Sequence, residues 1–339
     1  MAENKEVTVM LQDQVLALLK GAEGPVSGEG MSQALGVSRA AVWKAIEALR
    51  RQGYVIDSAP NRGYRLTASP DRISPGELAQ ALTGRRLGRE LLCLETVDST
   101  NSEIKRRAAE GAQEGLTVLS DCQTGGRGRL GRTFVSPAGK GLYCSVLLRP
   151  ACPLEELLSL TAWTAVAVCN AIERVCGVRP AIKWTNDVML QGRKLCGILT
   201  ELGVEGESGQ VDYVVVGVGV NVSQTEEDFG PEVAPVAISL TQALGSTPRR
   251  SELAAALITA LDDMYAAFPQ QKEDWLARYR ADCLTTGREV RVLRRSGTEQ
   301  AFAEAIDENF ALVVRYPDGR REALSSGEVS VWGLSGYTP

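Results

Sequence analysis

The sequence has no histidine among its 339 residues. This absence excludes a Ser-His or Cys-His nucleophile and any metal site that needs a histidine ligand. Its eight cysteines are scattered through apolar stretches without a C-x-x-C pair, a pattern typical of reduced core thiols. Chemistry in this chain must therefore depend on lysine, arginine, carboxylates, backbone groups and, at most, a hard cation.

Long apolar runs are missing as well. Nowhere do about 18 uninterrupted apolar residues occur, and the chain starts with the charged stretch MAENKEVTVMLQ. We therefore expect a cytoplasmic protein that has no membrane partner. The length fits roughly two to three domains, and 44% hydrophobic with 23% charged residues is typical of a soluble globular protein.

Two common nucleotide-binding signatures are also absent. The chain contains no P-loop motif, and the two glycines of VVVGVGVNV lack the third glycine and the following helix of a dinucleotide site. The sequence therefore favours neither a P-loop nor a Rossmann domain.

Residues 1–68 predict three helices followed by a hairpin. Apolar residues recur at helical spacing in NKEVTVMLQDQVLALLK, GEGMSQALG ends in glycine, and the third helix runs from an N-cap at Ser38 to a stop at Gly53. Two strand-like pieces, YVIDS and GYRL, are joined by the turn APNRG. This order is that of a winged helix-turn-helix domain.

Charge and helical periodicity give this domain a basic outer face. On the third helix one face carries Ala41, Val42, Ala45, Ile46 and Leu49, and the opposite face carries Arg39, Ala40, Trp43, Lys44, Glu47 and Arg50. Residues 1–37 hold 2 basic and 5 acidic side chains, whereas residues 38–65 hold 6 and 2. We expect DNA contacts from the helix and from the wing, at Ser38, Arg39, Ala40, Trp43, Lys44, Asn61, Arg62 and Gly63. A helical protein-interaction domain is the alternative.

The remaining chain predicts an α+β fold. A linker with two prolines, TASPDRISPGELAQ, leads into residues 73–282, where strand-like and helical stretches alternate and short turns favour a largely antiparallel mixed sheet. Residues 285–339 contain short strands joined by SG, EN and DG turns, which predict a small β-barrel.

The stretch QTGGRGRLGR, from Gln123 to Arg132, concentrates three arginines and four glycines in a chain whose net charge is −5. Glycine lets a backbone approach an anion closely, and fixed positive charge holds that anion, so the stretch predicts a phosphate-binding loop. A solvated turn is the alternative. We call residues 123–132 the arginine loop.

Three further polar segments interrupt apolar runs. VDSTNSEI predicts a helix N-cap at Thr100 with Glu103 three residues on, a capping box, and also offers polar donors to a ligand. IKWTNDVML carries Lys183, Asn186 and Asp187, and polar groups at such a place either satisfy a turn or face a site. GRKLCGILTEL supplies Lys194, which leads into a strand, and Glu201 beyond it. In VVVGVGVNV, Gly217 and Gly219 permit close approach of another backbone or a ligand, and the polar Asn221 ends the strand.

In this order the motifs DSTN, QTGGRGRLGR with the following SP (Ser136, Pro137), KWTND, KLCGILTE and GVGVN resemble those of the BirA family of bifunctional biotin–protein ligases and biotin operon repressors. Each motif alone is weak, but the ordered set is highly specific, and the winged helix extends the resemblance to nearly the whole chain.

The resemblance implies a class II synthetase-like catalytic domain over residues 73–282. It implies that biotin and ATP, with Mg²⁺, form biotinyl-5′-adenylate and pyrophosphate. A lysine of a biotin carrier protein, of the acetyl-CoA carboxylase type, then attacks the mixed anhydride. It further implies a homodimer that binds operator DNA and represses genes of biotin synthesis or transport.

The same resemblance assigns roles to individual positions. Lys183 and Arg129 match catalytic residues, and Asp187 is a candidate for placing Mg²⁺. The positions that match biotin contacts are Ser99, Thr100, Asn101, Gln123, Arg127, Gly128, Arg129 and Lys183. Those that match adenylate contacts are Arg127, Arg129, Arg132, Phe134 and Asn221.

Two departures and two rival functions bear on these assignments. Phe134 stands where many relatives have tryptophan, and Trp332 stands where an arginine is expected to tie the barrel to the catalytic domain. A lipoate ligase would share the central fold but normally lacks the winged helix and the arginine loop. A non-enzymatic sensor of a small molecule is the other rival, and the presence of both Lys183 and the arginine loop argues against it.

Overall fold

The computed structural model describes residues 2–331, except 60–61, 207–209, 295–296 and 326. The predictions for Asn61 and Trp332 lie outside the described residues. The chain divides into two compact units. The smaller unit runs to Gly84 and includes Arg249–Ala255, and the larger contains Arg85–Pro248 and continues from Ala256.

The smaller unit confirms the helix-turn-helix prediction. Its elements are α1 (Ala2–Gly21), α2 (Gly28–Leu35), α3 (Arg39–Arg51), the hairpin β1 (Val55–Ala59) and β2 (Gly63–Ala68), and α4 (Pro75–Leu78). Helix α3 begins where predicted, because the Ser38 hydroxyl accepts a hydrogen bond from the Ala41 amide at 3.2 Å. Val42, Ala45 and Ile46 are buried in the core of this unit.

The outer face of α3 is exposed over its first two turns. Ser38, Arg39, Ala40, Trp43 and Lys44 are exposed, and 54% of Trp43 is accessible. These positions are therefore available to a partner. The far end of the helix differs from the prediction.

The prediction that Arg50 belongs to this open face is wrong. Arg50 is half-buried: its guanidinium donates to the Ile56 carbonyl and pairs with Glu47 at 2.7 Å. The helix ends against β1 at this point, so a long side chain there reaches the strand backbone instead of solvent.

The larger unit contains a seven-stranded mixed sheet in the order β3-β4-β5-β9-β8-β7-β6, in which β3 and β4 are parallel and the other neighbours antiparallel. This confirms the predicted mixed, largely antiparallel sheet. The strands are β3 (Leu91–Leu94), β4 (Thr117–Ser120), β5 (Gly141–Leu148), β6 (Ala181–Lys183), β7 (Asp187–Leu190), β8 (Arg193–Val204) and β9 (Val211–Asn221).

Helices cover this sheet. Helix α5 contacts β4, β5 and β9, while α7 contacts β6, β7 and β8 and packs against α11. Trp163 of α7 is fully buried and stacks on Trp275 of α11, with ring centroids 5.1 Å apart. The helices are α5 (Thr100–Ala109), α6 (Leu154–Leu157), α7 (Leu160–Cys176), α8 (Glu226–Phe229), α9 (Leu240–Leu244), α10 (Arg250–Ala267) and α11 (Lys272–Asp282).

The C-terminal strands form a five-stranded antiparallel sheet in the order β13-β12-β11-β10-β14. They are β10 (Arg288–Arg294), β11 (Gly297–Ile306), β12 (Leu312–Arg315), β13 (Arg321–Leu324) and β14 (Glu328–Val331). Closure of this sheet into a barrel stays a prediction, because the described pairings leave β13 and β14 at its two edges.

All eight cysteines are free. In the part of the chain that the structure describes, no helix is long and apolar enough to cross a membrane.

Candidate active site

A cleft of about 150 Å³ in the larger unit brings together segments that are far apart in the sequence. It is lined by the start of α5, the arginine loop, the turn between β6 and β7, and the middle of β8 and β9. The residues of the predicted site that line it are Ser99, Thr100, Asn101, Gln123, Arg127, Gly128, Arg129, Arg132, Phe134, Lys183 and Asp187. Their shared position supports one site, and their individual roles stay predictions.

The start of α5 corrects the predicted capping box. The N-cap is Ser99 rather than Thr100, and the Glu103 carboxylate pairs with Arg106 and Arg107. The Thr100 amide donates to Gln123 Oε1 at 2.9 Å, and the Thr100 hydroxyl donates to the same oxygen at 3.2 Å. The capping prediction was wrong because this hydroxyl serves the site instead of the helix end.

Gln123, the first residue of the arginine loop, connects α5 to Ser136, which follows the loop. Its Oε1 accepts both bonds from Thr100, and its Nε2 donates to the Ser136 hydroxyl at 2.9 Å. Ser136 in turn donates to the Phe134 carbonyl at 3.0 Å. The amide of Gln123 is therefore fixed in one orientation beside the cleft.

Ser145 supports two residues of the cleft lining, and the sequence analysis does not name it. This fully buried side chain on β5 lies 2.7 Å from the Thr100 hydroxyl and 2.6 Å from Asn101 Oδ1. A serine in the middle of the apolar strand LYCSVLL was the available signal, because a buried hydroxyl needs a hydrogen-bond partner.

Asp98 holds the segment that precedes α5. Its two oxygens receive Arg106 Nη1 at 2.9 Å and Nη2 at 2.7 Å, and Oδ1 also accepts from the Ser99 amide. The hydrogen bonds from Arg106 are the largest cause of a pKa lowered to about 2 for this carboxyl. Asp98, the first residue of DSTN, is thus ionised and stabilises the turn that precedes α5.

Asn101 is buried, and its amide is fully used by the protein. Nδ2 donates to the Leu199 carbonyl at 3.2 Å and to Glu201 Oε2 at 2.8 Å, while Oδ1 lies 2.6 Å from the Ser145 hydroxyl. The predicted biotin contact of Asn101 stays a prediction. These bonds support a role in holding the first turn of α5 against β8.

The glycines of β9 allow this arrangement. A Cβ at Gly217 would lie 2.1 Å from Asn101 Oδ1, and one at Gly219 would lie 2.7 Å from the ring of Phe134. The sequence predicts that another backbone or a ligand approaches these glycines, but the groups that approach them in the structure are two side chains of the cleft lining.

Replacing Gly217 with alanine should displace Asn101 and lower the stability of the larger unit by roughly 1–3 kcal/mol, since an added methyl in a packed interior forces its neighbours to move. Thermal unfolding measures the effect, and Gly206→Ala is the control because a Cβ there meets nothing within 4 Å. Equal unfolding midpoints for the two variants would show that Asn101 is free to shift.

The arginine loop is closed at its base and anchored by its own side chains. The Phe134 amide donates to the Gly126 carbonyl at 2.9 Å, and the Gly128 amide donates to the Arg132 carbonyl at 2.7 Å. Arg127 Nη2 donates to Glu201 at 3.1 Å. At the tip, Leu130 is 78% exposed and has a positive φ of 55°.

Arg129 joins the loop to two other elements. Its Nη1 donates to Asn186 Oδ1 at 2.9 Å and its Nη2 to the Gly327 carbonyl, before β14, at 2.9 Å. Asn186 also donates to the Ile198 carbonyl at 3.1 Å. The sequence left Asn186 open between a turn role and a site role, and it has both.

Lys183 lies at the end of β6, only 3% exposed, in register with Asp187 on β7. Asp187 forms an ion pair with Lys194, with Nζ and Oδ1 2.6 Å apart. Among the described residues, two lysines, three arginines and the carboxylate of Asp187 line the cleft, and Glu201 beside the lining pairs with Arg127. The site is locally positive although the chain carries a net charge of −5, as a pocket for an anionic ligand requires.

Asn221 is the predicted site residue that the cleft lining does not include. Its buried Nδ2 donates to the carbonyls of Lys194 and Ile238, at 3.3 and 3.2 Å, and its Oδ1 accepts from Gln224. These bonds fix the backbone from which Lys194 projects. The predicted adenylate contact of Asn221 stays a prediction.

Comparison with known families matches three segments of the chain in order. An HTH domain matches residues 11–65, the biotin/lipoate A/B protein ligase family matches residues 93–221, and the biotin protein ligase C terminal domain matches residues 285–332. The cleft residues from α5 to β9 fall within the second segment.

Curated relatives cover nearly the whole chain. The bifunctional ligase/repressor BirA of Bacillus subtilis is 35% identical, over 89% of this chain and 92% of that protein. BirA of Escherichia coli is 31% identical, over 96% and 98%. Among solved structures, the biotin protein ligase of Aquifex aeolicus in complex with biotin and ATP is 30% identical with a TM-score of 0.62, covering 72% of this chain and 98% of that one.

Proposed function

Since the chain belongs to the BirA family of bifunctional ligase/repressors, we propose that its cleft activates biotin with ATP and transfers it to a lysine of a biotin carrier protein of the acetyl-CoA carboxylase type. The observation that carries this proposal is the cleft itself, in which Lys183 and the arginine loop surround a positive pocket. The family model also covers lipoate ligases, but the full-length relatives named above are ligase/repressors.

The reaction has two displacements. A carboxylate oxygen of biotin attacks the α-phosphorus of ATP, the bond to the bridging oxygen breaks, and pyrophosphate leaves. The amine of the carrier lysine then attacks the acyl carbon of biotinyl-5′-AMP, an amide forms and AMP leaves. Neither step needs a nucleophile from this chain, which agrees with its lack of histidine.

The chain contributes position and charge. Buried Lys183 and half-buried Arg129 both line the cleft. In this proposal they stabilise the negative charge that develops as pyrophosphate departs, because fixed cations do so without reorganising. Phe134 closes one wall against Gly219 and meets Tyr143 edge to face, with ring centroids 6.4 Å apart. An aromatic ring is thus retained where many relatives have tryptophan.

Asp187 fits one part of a magnesium site. Mg²⁺ bound with a nucleotide typically takes one or two carboxylates together with phosphate oxygens and water. Among the described residues no group of three acidic, cysteine or histidine side chains could hold a metal by itself. Asp187 would supply a carboxylate to Mg²⁺ that arrives with ATP, and the ion pair with Lys194 would hold that carboxylate in position. The bound Mg²⁺ would neutralise charge at the phosphates.

The test is a labelling reaction with purified protein, biotin, MgATP and a biotin carrier domain. One acceptor lysine should be labelled and pyrophosphate released, and a parallel reaction with lipoate should give neither product. Absence of labelling with a competent acceptor would remove the ligase function. Biotin binding without pyrophosphate release would limit the protein to ligand sensing, whereas pyrophosphate release without transfer would limit it to adenylate formation.

The smaller unit accounts for the repressor half of the proposal. We expect the protein to bind a palindromic operator as a homodimer, with α3 in the major groove and Arg62 of the wing at phosphates. A cytoplasmic location and functional boundaries at residues 1–68, 73–282 and 285–339 belong to the same proposal.

Operator binding should weaken steeply with salt, because cationic side chains release counterions from DNA when they bind phosphates. Removing residues 1–67 should abolish binding. Lys44→Ala and Arg62→Ala should each lower the slope of log affinity against log salt by about one, the loss of one phosphate contact. Titrations at several salt concentrations measure this, with carrier labelling as the control for folding; unchanged slopes in both variants would move the DNA site elsewhere.

A further inference from the structure

Glu201 on β8 binds two separate parts of the cleft with one carboxylate. Its Oε2 accepts from Asn101 Nδ2 at 2.8 Å and from Arg127 Nη2 at 3.1 Å, and its Oε1 accepts from Lys105 Nζ at 2.5 Å. Asn101 and Lys105 belong to α5, whereas Arg127 belongs to the arginine loop. The carboxylate therefore joins the loop to the helix that starts the cleft.

The surroundings of Glu201 keep it negatively charged. Its side chain is only 21% exposed, and although burial raises its pKa, hydrogen bonds from Lys105 and Asn101 and the charges of Lys105 and Arg127 outweigh burial and lower the pKa below its usual value. An ionised carboxylate is an acceptor for all three donors. A glutamine would present an NH₂ group to at least one of them.

The orientation of Arg127 changes the role expected for it. The resemblance assigned Arg127 to the ligand, but its guanidinium bonds Glu201, while the next arginine of the loop, Arg129, bonds Asn186 and the Gly327 carbonyl. The two arginines thus hold the two sides of the loop to different elements. Because the guanidinium of Arg127 already binds a carboxylate of the protein, we infer that this arginine attaches the loop and does not contact the ligand.

On the basis of the proposed function, we propose that Glu201 is a positioning residue of the ligase reaction, which fixes the arginine loop to the first turns of α5 through Arg127. The loop then closes over biotin and the adenylate from an anchored base. We call the Glu201–Arg127 pair the loop anchor. In this arrangement Arg127 acts through Glu201, and loss of either residue releases the same end of the loop.

A double-mutant cycle with Glu201→Gln and Arg127→Gln tests the anchor, using biotin and MgATP as probes. Each single variant should raise KM for biotin about three- to fivefold, the range for a partly exposed ion pair, while the single-turnover rate of adenylate formation at saturating substrate stays within about twofold of wild type. The double variant should be no worse than either single one. An additive double variant, or an Arg127 variant that slows the chemistry itself, would show that Arg127 contacts the reacting groups and would overturn the anchor.

Lys105→Gln is the matched control, because Lys105 binds the other oxygen of Glu201 without contacting the loop. It should leave KM for biotin unchanged. If it raised KM as much as Glu201→Gln, the carboxylate would serve only to hold α5 against β8, and the positioning role would be wrong.

A second measurement does not depend on catalysis. Trypsin should cut after Arg129, before the exposed Leu130, and Glu201→Gln and Arg127→Gln should speed cleavage of the ligand-free protein by about three- to fivefold, with no change for Lys105→Gln. Equal cleavage rates would contradict the anchor. If the wild-type protein makes no adenylate, the proposed ligase function is wrong. The proteolysis result would then still show whether Glu201 and Arg127 anchor the loop.

Discussion

Replacing Lys183 with alanine should slow adenylate formation by about 100-fold, because a buried cation placed where charge develops contributes more in the transition state than in the ground state. Lys183 is 3% exposed and lines the cleft at the end of β6. After its removal, bulk water has little access to the site and cannot easily stabilise the negative charge in its place. Single-turnover measurements of pyrophosphate release, at saturating biotin and MgATP, measure the effect.

Two further variants separate charge from packing in this experiment. Lys183→Met keeps most of the buried volume and should be as slow as the alanine variant if the charge matters. Lys140→Ala removes a lysine that pairs with Asp228 at 2.6 Å and does not line the cleft, so it should react at the wild-type rate. A Lys183→Met variant of normal rate would exclude Lys183 from a catalytic role.

Replacing Arg129 with glycine should let the reactive intermediate escape. The side chain ties the arginine loop to Asn186 and to the Gly327 carbonyl, and two lost hydrogen bonds to a cation, together with the added freedom of glycine, should speed release of free biotinyl-5′-AMP by roughly tenfold. The variant should still form adenylate and should label lysines of bystander proteins. Chromatography of released adenylate and labelling of a non-cognate protein give the two readouts.

Arg129→Lys tests whether charge alone retains the intermediate. Lysine keeps the cation but lacks the planar fork that reaches both acceptors, so its release rate should fall between wild type and glycine. If Arg129→Gly retains its intermediate as wild type does, the stretch QTGGRGRLGR is a solvated structural turn, which is the alternative interpretation given above.

The local pattern of residue types in the sequence was sufficient to predict the helices and strands of the fold. The α3 helix was predicted from its Ser38 cap and from the helical spacing of Val42, Ala45 and Ile46, because capping and burial of one face act within a few residues. The mixed sheet followed from adjacent strand runs with short turns. Closure of the C-terminal sheet into the predicted barrel stays a prediction, since it depends on which edge strands meet.

The site could be assembled from the sequence only through the ordered motifs. Spacing alone does not bring Thr100, Gln123 and Lys183 to one cleft, because these segments meet only through the order of strands in the sheet. The same limit explains the errors. Thr100 looks like a helix cap until Gln123 and Ser145 are placed beside its hydroxyl, and Arg50 looks exposed until β1 lies against it.

The sequence by itself determined which kinds of side chain are available for the chemistry of this protein. The lack of histidine excludes a histidine-activated nucleophile, and the cluster of arginine and glycine favours an anionic ligand, because residue types decide this wherever they lie in space. Activation of the substrate by ATP follows only from the family resemblance. The tertiary structure decided which groups the arginines of the loop bind: Arg127 bonds Glu201, and Arg129 bonds Asn186. Hydrogen bonds act over about 3 Å, so the partner of a polar side chain depends on the neighbours that packing supplies.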